Sequence, residues 1–118
     1  MEPGSIPKPG PADLEYFDSI IPTAEGVTRR PMFGNVAAFA NGQMFLCLFG
    51  PDVAVRLGAD ERERLLGIAG TSPFEPVKGR AMKEYVVLPA AWRKRPKLTE
   101  EWVARSLAYA HSLPPKKK

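Results

Sequence analysis

The order of hydrophobic and polar residues divides the chain into stretches with a helical period and stretches with a strand period. Leu14, Phe17 and Ile21 recur at the spacing of one helix face, which predicts an amphipathic helix of about ten residues. Pro22 ends this helix because a proline disfavours helical backbone at the residue before it. From residue 27 to residue 57 the apolar period changes to two, which is typical of strands.

The strongest local signal in this region is Asn41-Gly42, which stands between the apolar runs VAAFA and QMFLCLF. Both central residues of a type I′ turn need positive φ, and Asn and Gly adopt it readily, so the pair predicts a tight hairpin. A regular register then sets Ala38 opposite Phe45. On that register both faces of the hairpin are apolar, with Phe39, Met44, Leu46 and Leu48 on one face and Val36, Ala38, Phe45, Cys47 and Phe49 on the other. Such a hairpin is central in its sheet or has one face covered by another subunit.

Proline positions and capping residues place the remaining elements. Pro31 cannot donate to a ladder, so Arg29-Arg30-Pro31 predicts an edge strand or a strand entrance. Asp60 with Glu63 predicts a capping box at the start of a second helix, and Thr99 predicts the N-cap of the last helix. The segment TSPFEP is too proline-rich for a central strand, whereas EYVVL predicts one.

These elements give the order α-β-β-β-(β)-α-β-β-α. Because tight turns join consecutive strands, they predict a two-layer α+β domain: an antiparallel sheet of about five strands with helices on one face. We expect a disordered lead-in at residues 1–10, a single domain at residues 11–113 and a basic tail at residues 114–118.

The charged residues are distributed unevenly along the chain. The formal net charge is +4, but residues 1–60 carry four Lys and Arg against seven Asp and Glu, so the basic charge lies in the second half. The alternatives are a solvated face with a solubilising tail, or a patch for an acidic partner or nucleic acid. The candidate binding residues are Arg29, Arg30, Phe33, Lys78, Arg80, Lys83, Arg93, Lys94, Arg95 and Lys97.

Residues that would support catalysis are sparse. His111 falls in the last turn of the last helix, Cys47 lies in the middle of an apolar strand, and Glu100-Glu101 suits the positive end of a helix. We therefore expect no enzyme activity, no metal and no cofactor. The N-terminus has no apolar leader segment, and no stretch approaches the ~18 apolar residues of a membrane span, so a cytoplasmic location is the expectation.

An ordered set of short motifs resembles a known family. The set is Arg30-Pro31-Met32-Phe33-Gly34, Asn41-Gly42 with Met44-Phe45, Val55-Arg56-Leu57, Pro73-Phe74-Glu75-Pro76, the run from Gly79 to Pro89, and Trp102 with Leu107. In this order they resemble the N-terminal domain of the TfoX/Sxy proteins, regulators of competence genes, over residues about 12 to 113. The family's C-terminal helix-hairpin-helix domain has no counterpart in these 118 residues. The resemblance implies an α+β fold like that of secretion-chaperone-like domains, which often dimerise, and implies no catalytic residues.

Three functional hypotheses follow. The first is a self-associating, non-enzymatic regulatory module with an unknown protein partner, and the second is binding of DNA or RNA through the basic segment 78–97, with Phe33, Tyr85 or Trp92 stacking on bases. The third is a small anionic ligand between Phe33, Met44 and Met82, with Arg30 and Arg80 at the rim. The position of Arg30 decides between two interpretations of its segment. If Arg30 meets Arg80 and Lys83, the segment borders a binding site. If a carboxylate such as Glu84 neutralises Arg30, the segment is only the entrance of a strand.

Overall fold

The computed structural model describes residues 8–32, 34–76, 79 and 81–114. The predicted lead-in before residue 8 and the lysines of the predicted tail lie outside the described residues. The elements are α1 (Pro11–Ile20), β1 (Val27–Met32), β2 (Asn35–Ala40), β3 (Gln43–Phe49), β4 (Asp52–Arg56), α2 (Ala59–Leu66), β5 (Ser72–Pro73), β6 (Tyr85–Val87), a 3₁₀ helix (Ala90–Lys94) and α3 (Pro96–Ser112).

All strand pairs are antiparallel, and the strands lie in the order β1-β2-β3-β4-β6-β5. This confirms the predicted α+β class. The sheet has six strands where about five were predicted, and one of them, β5, is only two residues long. The β2-β3 hairpin is flanked on both sides by other strands, as its two apolar faces predict. The TSPFEP segment supplies β5 at one edge, where its prolines cost no central ladder bond.

The three helices cover one face of the sheet and form the main core with it. Phe17 of α1, Leu65 of α2 and Trp102 of α3 are buried there against strand residues such as Leu48 and Val55. Burying a large apolar side chain contributes about 1.5–3 kcal/mol. These helix anchors therefore hold the helical layer on the sheet.

The hairpin turn is as predicted, but the register beyond it is not. Asn41 and Gly42 both have positive φ, 52° and 79°, which confirms a type I′ geometry. A β-bulge follows, so Ala38 pairs with Leu46 and the prediction that it faces Phe45 is wrong. Phe45 is the inserted residue.

The bulge exchanges the faces that were predicted for the second half of β3. A slip of one residue moves every later side chain to the opposite face. Leu46 and Leu48 consequently join Phe45 in the helix-side core, whereas Phe39, Met44, Cys47 and Phe49 lie on the opposite face.

A buried serine on α3 compensates for the bulge. Ser106 is fully buried, and its hydroxyl lies 2.5 Å from the carbonyl oxygen of Phe45 and 2.7 Å from that of Arg56. It also accepts the backbone N–H of Arg56 at 3.1 Å. The β3-β4 register ends at Leu46 and Val55, so the serine bonds backbone groups where the ladder opens. Polar backbone groups that lose their strand partner need another one when buried.

Both predicted helix caps are wrong, since each of these helices begins earlier. The N-cap of α2 is Gly58, so Asp60 lies inside the first turn. The N-cap of α3 is Arg95, with Pro96 at the first helical position, where its missing N–H costs nothing. Thr99 is buried inside α3, and its hydroxyl donates to the carbonyl of Trp92 at 3.1 Å.

Strand β1 forms one edge of the sheet, as Pro31 predicts. Opposing residues in an antiparallel pair alternate between exchanging hydrogen bonds and turning them away from each other. Ala40 exchanges hydrogen bonds with Gln43 of β3 across the tight turn, so its backbone groups point away from β1. Val27 opposes Ala40, and it therefore points its own backbone groups outward from the sheet, as do Arg29 and Pro31 at alternate positions. The missing N–H of Pro31 therefore costs no bond within the sheet.

Candidate protein-interaction surface

The sheet face opposite the helices is apolar, and we call it the open face. Six of its side chains are half-buried, so they are neither packed inside nor fully solvated: Met32, Phe39, Met44, Phe49, Met82 and Val87. Three of the four methionines of the chain lie in this set. Methionine is flexible and polarisable, and it is common on surfaces that bind other proteins.

A small second core lies beneath the open face. Phe74 from the β5-β6 connection is buried, with its ring 5.5 Å from that of Phe49 and 6.3 Å from that of Tyr85. The hydroxyl of Tyr85 donates to the carbonyl of Met44 at 2.8 Å. The chain thus covers part of this face itself, and the apolar side chains around the covered part remain half-exposed.

The two arginines of β1 lie on opposite faces of the sheet. Arg29 pairs with Asp18 of α1 on the helix side, with 2.6 Å between nitrogen and oxygen. Arg30 is exposed on the open face, where its guanidinium carbon is 5.4 Å from the centre of the Phe39 ring. A guanidinium at this distance over an aromatic ring is attracted by the ring's negative face. Arg30 therefore places a cation at the border of the open face.

Glu84 does not neutralise Arg30, because it binds Arg56. Glu84 accepts from the Nε of Arg56 at 2.7 Å. The guanidinium of Arg56 also lies 5.9 Å from the Tyr85 ring and 5.8 Å from the Tyr109 ring. Arg56 is mostly buried at this position, and the sequence prediction omitted it because it occurs singly in a strand. Its role is to tie β4 to β6 and α3.

Arg93, one of the predicted binding residues, is held by the fold. It forms a salt bridge with Asp13 of α1 at 2.7 Å, donates to the carbonyl of Pro51 at 2.9 Å and stacks 4.8 Å over the Tyr16 ring. The backbone N–H of Gly10 and then the Arg93 guanidinium hold the pKa of Asp13 below its usual value. Arg93 contributes to the attachment of α1, so less of its charge is available to a partner.

The other predicted basic residues fall into separate places. Lys94, Arg95 and Lys97 are exposed where the 3₁₀ helix meets α3, and Lys83 is exposed in the turn before β6. Strands β2, β3 and β4 separate β6 from β1, so Lys83, just before β6, lies across the sheet from the strand that carries Arg30. Phe33, Lys78 and Arg80 lie outside the described residues. Whether Arg30 meets Arg80, and the proposed ligand site that includes Phe33, therefore stay predictions.

Two aromatic side chains that were candidates for stacking on bases are buried. Trp92 is 7% exposed and Tyr85 is 8% exposed. A base needs the open face of a ring. Neither residue exposes a ring face in this fold. The exposed basic residues still support the nucleic-acid hypothesis, but two of its three candidate stacking residues are excluded.

Reactive groups are few in the described part of the chain. Cys47 is fully buried, and burial raises the pKa of its thiol to about 12, so it carries almost no thiolate near neutral pH. Among the described residues no three His, Cys, Asp or Glu side chains come together as a metal site requires. None of the described helices is long and apolar enough to cross a membrane.

One comparison with known proteins identifies a family for this chain. A family model, the TfoX N-terminal domain, matches residues 19–110, which is more than half of the chain. The chain therefore belongs to the TfoX N-terminal domain family, and it is a TfoX-like regulatory domain. A search of curated proteins gives no match.

Proposed function

We propose that this TfoX-like domain is not an enzyme and acts by binding protein, first of all a second copy of itself, through the open face. The observation that carries the proposal is the half-buried apolar set on the side of the sheet that has no helices. Interface centres are enriched in aromatic residues, methionine and arginine. The open face offers Phe39, Phe49, three methionines and Arg30. A second sheet stacked on this face would remove these side chains from water.

The side-chain chemistry of the described residues also favours binding over turnover. Cys47 is buried, and two of the exposed carboxylates, Asp18 and Glu101, are paired with arginine. We extend the proposal to the family's role in regulating competence genes, and to a cytoplasmic location, on the strength of family membership alone.

Light scattering after size exclusion tests the self-association. The chain has a mass of 13.0 kDa, and we expect a species of twice this mass at micromolar concentration. Phe39→Glu puts a carboxylate beside Arg30 in the apolar contact, and taking this charge out of water on association costs free energy, so we expect association to weaken at least about 100-fold. The matched control is Leu66→Glu. Leu66 is exposed at the end of α2, away from the open face.

A monomeric wild type at every concentration would overturn the proposed self-association, and so would an unchanged dimer in Phe39→Glu. Circular dichroism and a thermal melt on each variant separate loss of association from loss of fold. The combination that supports the proposal is a folded, monomeric Phe39→Glu and a dimeric Leu66→Glu.

Nucleic-acid binding is a second candidate, favoured by one observation. Lys94, Arg95 and Lys97 are exposed together at the start of α3, where the helix end adds a positive partial charge. Binding of this kind is dominated by phosphate contacts, so the affinity falls steeply with salt. A gel-shift series with DNA and RNA at low and high salt decides it. Absence of a shift at low salt with both nucleic acids refutes this candidate.

A further inference from the structure

A cleft lies on the helix side of the molecule, between the end of α1 and the middle of α3. It encloses about 300 Å³. The residues that line it are mostly apolar, with one hydroxyl and one carboxylate: Ile20, Ile21, Pro22, Ala104, Leu107, Ser19 and Glu100. We call it the α1–α3 cleft. It lies on the other side of the sheet from the open face.

The floor of the cleft is continuous with the main core. Ile20, Ile21 and Leu107 are half-buried and pack against core side chains. Ala104 is exposed. On the same side of α3, Glu100 lies one helical turn before it and Leu107 one turn after it. Its small side chain leaves the space between the helices open. The volume is at the lower limit of ligand pockets, which suits one or two aliphatic side chains of a partner.

The electrostatics of the cleft favour a cation. The end of a helix carries unpaired carbonyls and a negative partial charge, and the last turn of α1 has no basic residue. Pro22, two residues after the helix ends, has no N–H to donate to those carbonyls. Glu100 is exposed at the rim and adds a full negative charge.

Two neighbouring carboxylates are already paired with arginine, and Lys97 is exposed one turn before Glu100 on α3. Asp18 holds Arg29 at 2.6 Å, so the nearest described arginine on β1 is neutralised. On α3, Glu101 pairs with Arg105 at 2.9 Å. Ser19 donates its hydroxyl to the carbonyl of Tyr16 at 2.6 Å. The cleft therefore combines an apolar floor with one exposed carboxylate, Glu100, and the carbonyl end of α1 at its rim.

We propose that the α1–α3 cleft binds a basic amphipathic helix of a partner protein. One apolar side chain of that helix fills the space over Ala104, and a lysine or arginine beside it meets Glu100 and the carbonyl end of α1. This is the helix-in-groove mode of recognition. The inference deepens the proposed protein-binding role by naming the chemistry of the partner, and it does not require self-association.

A fluorescent peptide of repeating Lys-Leu-Leu-Lys units is the probe, with binding followed by anisotropy. We expect Ala104→Phe to abolish saturable binding, because the new ring occupies the space for the partner's side chain. We expect Glu100→Gln to weaken binding about tenfold and to reduce its salt dependence, because one charge-assisted contact is lost. The control is Glu15→Gln, an exposed carboxylate of α1 that does not line the cleft.

Two further measurements make the outcomes decisive. The same titration on Phe39→Glu gives wild-type affinity if the cleft acts independently of the open face, so failure of self-association and failure of the cleft are distinguishable. Thermal melts establish that Ala104→Phe is folded. The inference is overturned if the wild type does not bind the peptide, if Glu15→Gln weakens binding as much as Glu100→Gln, or if folded Ala104→Phe binds like the wild type.

Discussion

Ser106→Ala tests the interpretation that one hydroxyl on α3 supports the bulge in β3. In the native domain this hydroxyl has two carbonyl acceptors, on Phe45 and Arg56, and accepts the N–H of Arg56. A hydroxyl has one proton, so it serves one carbonyl at a time. Alanine removes the donor and the acceptor together and leaves buried backbone groups without a partner.

The expected cost follows from these contacts. Each lost hydrogen bond is worth about 1 kcal/mol, and a buried group left unsatisfied costs about 1–3 kcal/mol. Alanine offsets roughly 0.5 kcal/mol of this loss, because it is a better helix former than serine. The space left by one oxygen atom is too small for a water molecule to replace it. We expect the free energy of unfolding to fall by about 2–3 kcal/mol in total.

Urea titration followed by circular dichroism measures this loss, and a thermal melt gives a second value. For a domain of this size we expect the melting temperature to drop by about 8–12 °C. The control is Ser112→Ala on the same helix, where the exposed hydroxyl donates to the carbonyl of Tyr109. This variant should lie within about 0.5 kcal/mol of the wild type. If Ser106→Ala is as stable as Ser112→Ala, the hydroxyl does not support the bulge and the reasoning is refuted.

Three further predictions concern titration, reactivity and the turn. Asp13 has a lowered pKa in the fold, so its contribution is present above its ordinary value of 3.8 and is lost as pH falls below it. Melts from pH 6 down to about pH 2 should show a smaller acid-induced loss of stability in Asp13→Asn than in the wild type, and equal losses would contradict the contacts of Asp13 with the Gly10 N–H and Arg93. Cys47 should resist alkylation at about pH 8 until urea unfolds the domain, and rapid native labelling would show that it is accessible. Gly42→Ala places a side chain at a φ of 79° and should cost about 1 kcal/mol in urea unfolding, whereas a neutral effect would argue against the type I′ turn.

The parts of the fold that were predicted from sequence depend on local backbone chemistry. Asn41-Gly42 specifies its turn through two positive φ angles, and Pro31 specifies an edge through its missing N–H. Both effects act within a few residues. They therefore appear in the sequence as clear signals.

The parts that were predicted wrongly depend on distant contacts. The bulge at Phe45 is supported by Ser106, which is far away in the chain, so no local pattern indicates that β3 contains an extra residue. Thr99 has the composition of an N-cap, but the fold uses its hydroxyl to bond the carbonyl of Trp92. Capping preference is a local rule, and here the packing of the 3₁₀ helix against α3 overrides it.

The candidate surface also has features that the sequence indicates and features that depend on distant contacts. Composition indicates the basic residues, but it does not show that Arg93 is held by Asp13 or that Arg29 and Arg30 face opposite sides. The bulge exchanged the faces predicted for the second half of β3. Consequently the sequence correctly placed Phe39 and Met44 on one face, but it placed Phe49 on the opposite one.

The outward backbone of Pro31 limits how copies of this domain can assemble. Exposed strand edges are templates for endless addition of further strands, as in fibrils. Here one edge carries a proline with no N–H to offer, beside the exposed Arg30, whose charge repels that of a second β1, and the other edge is the short β5 with Pro73. Growth along the sheet is therefore blocked at both ends. In the proposed stacking each copy uses its open face, so the assembly would close at two copies instead of growing into a polymer.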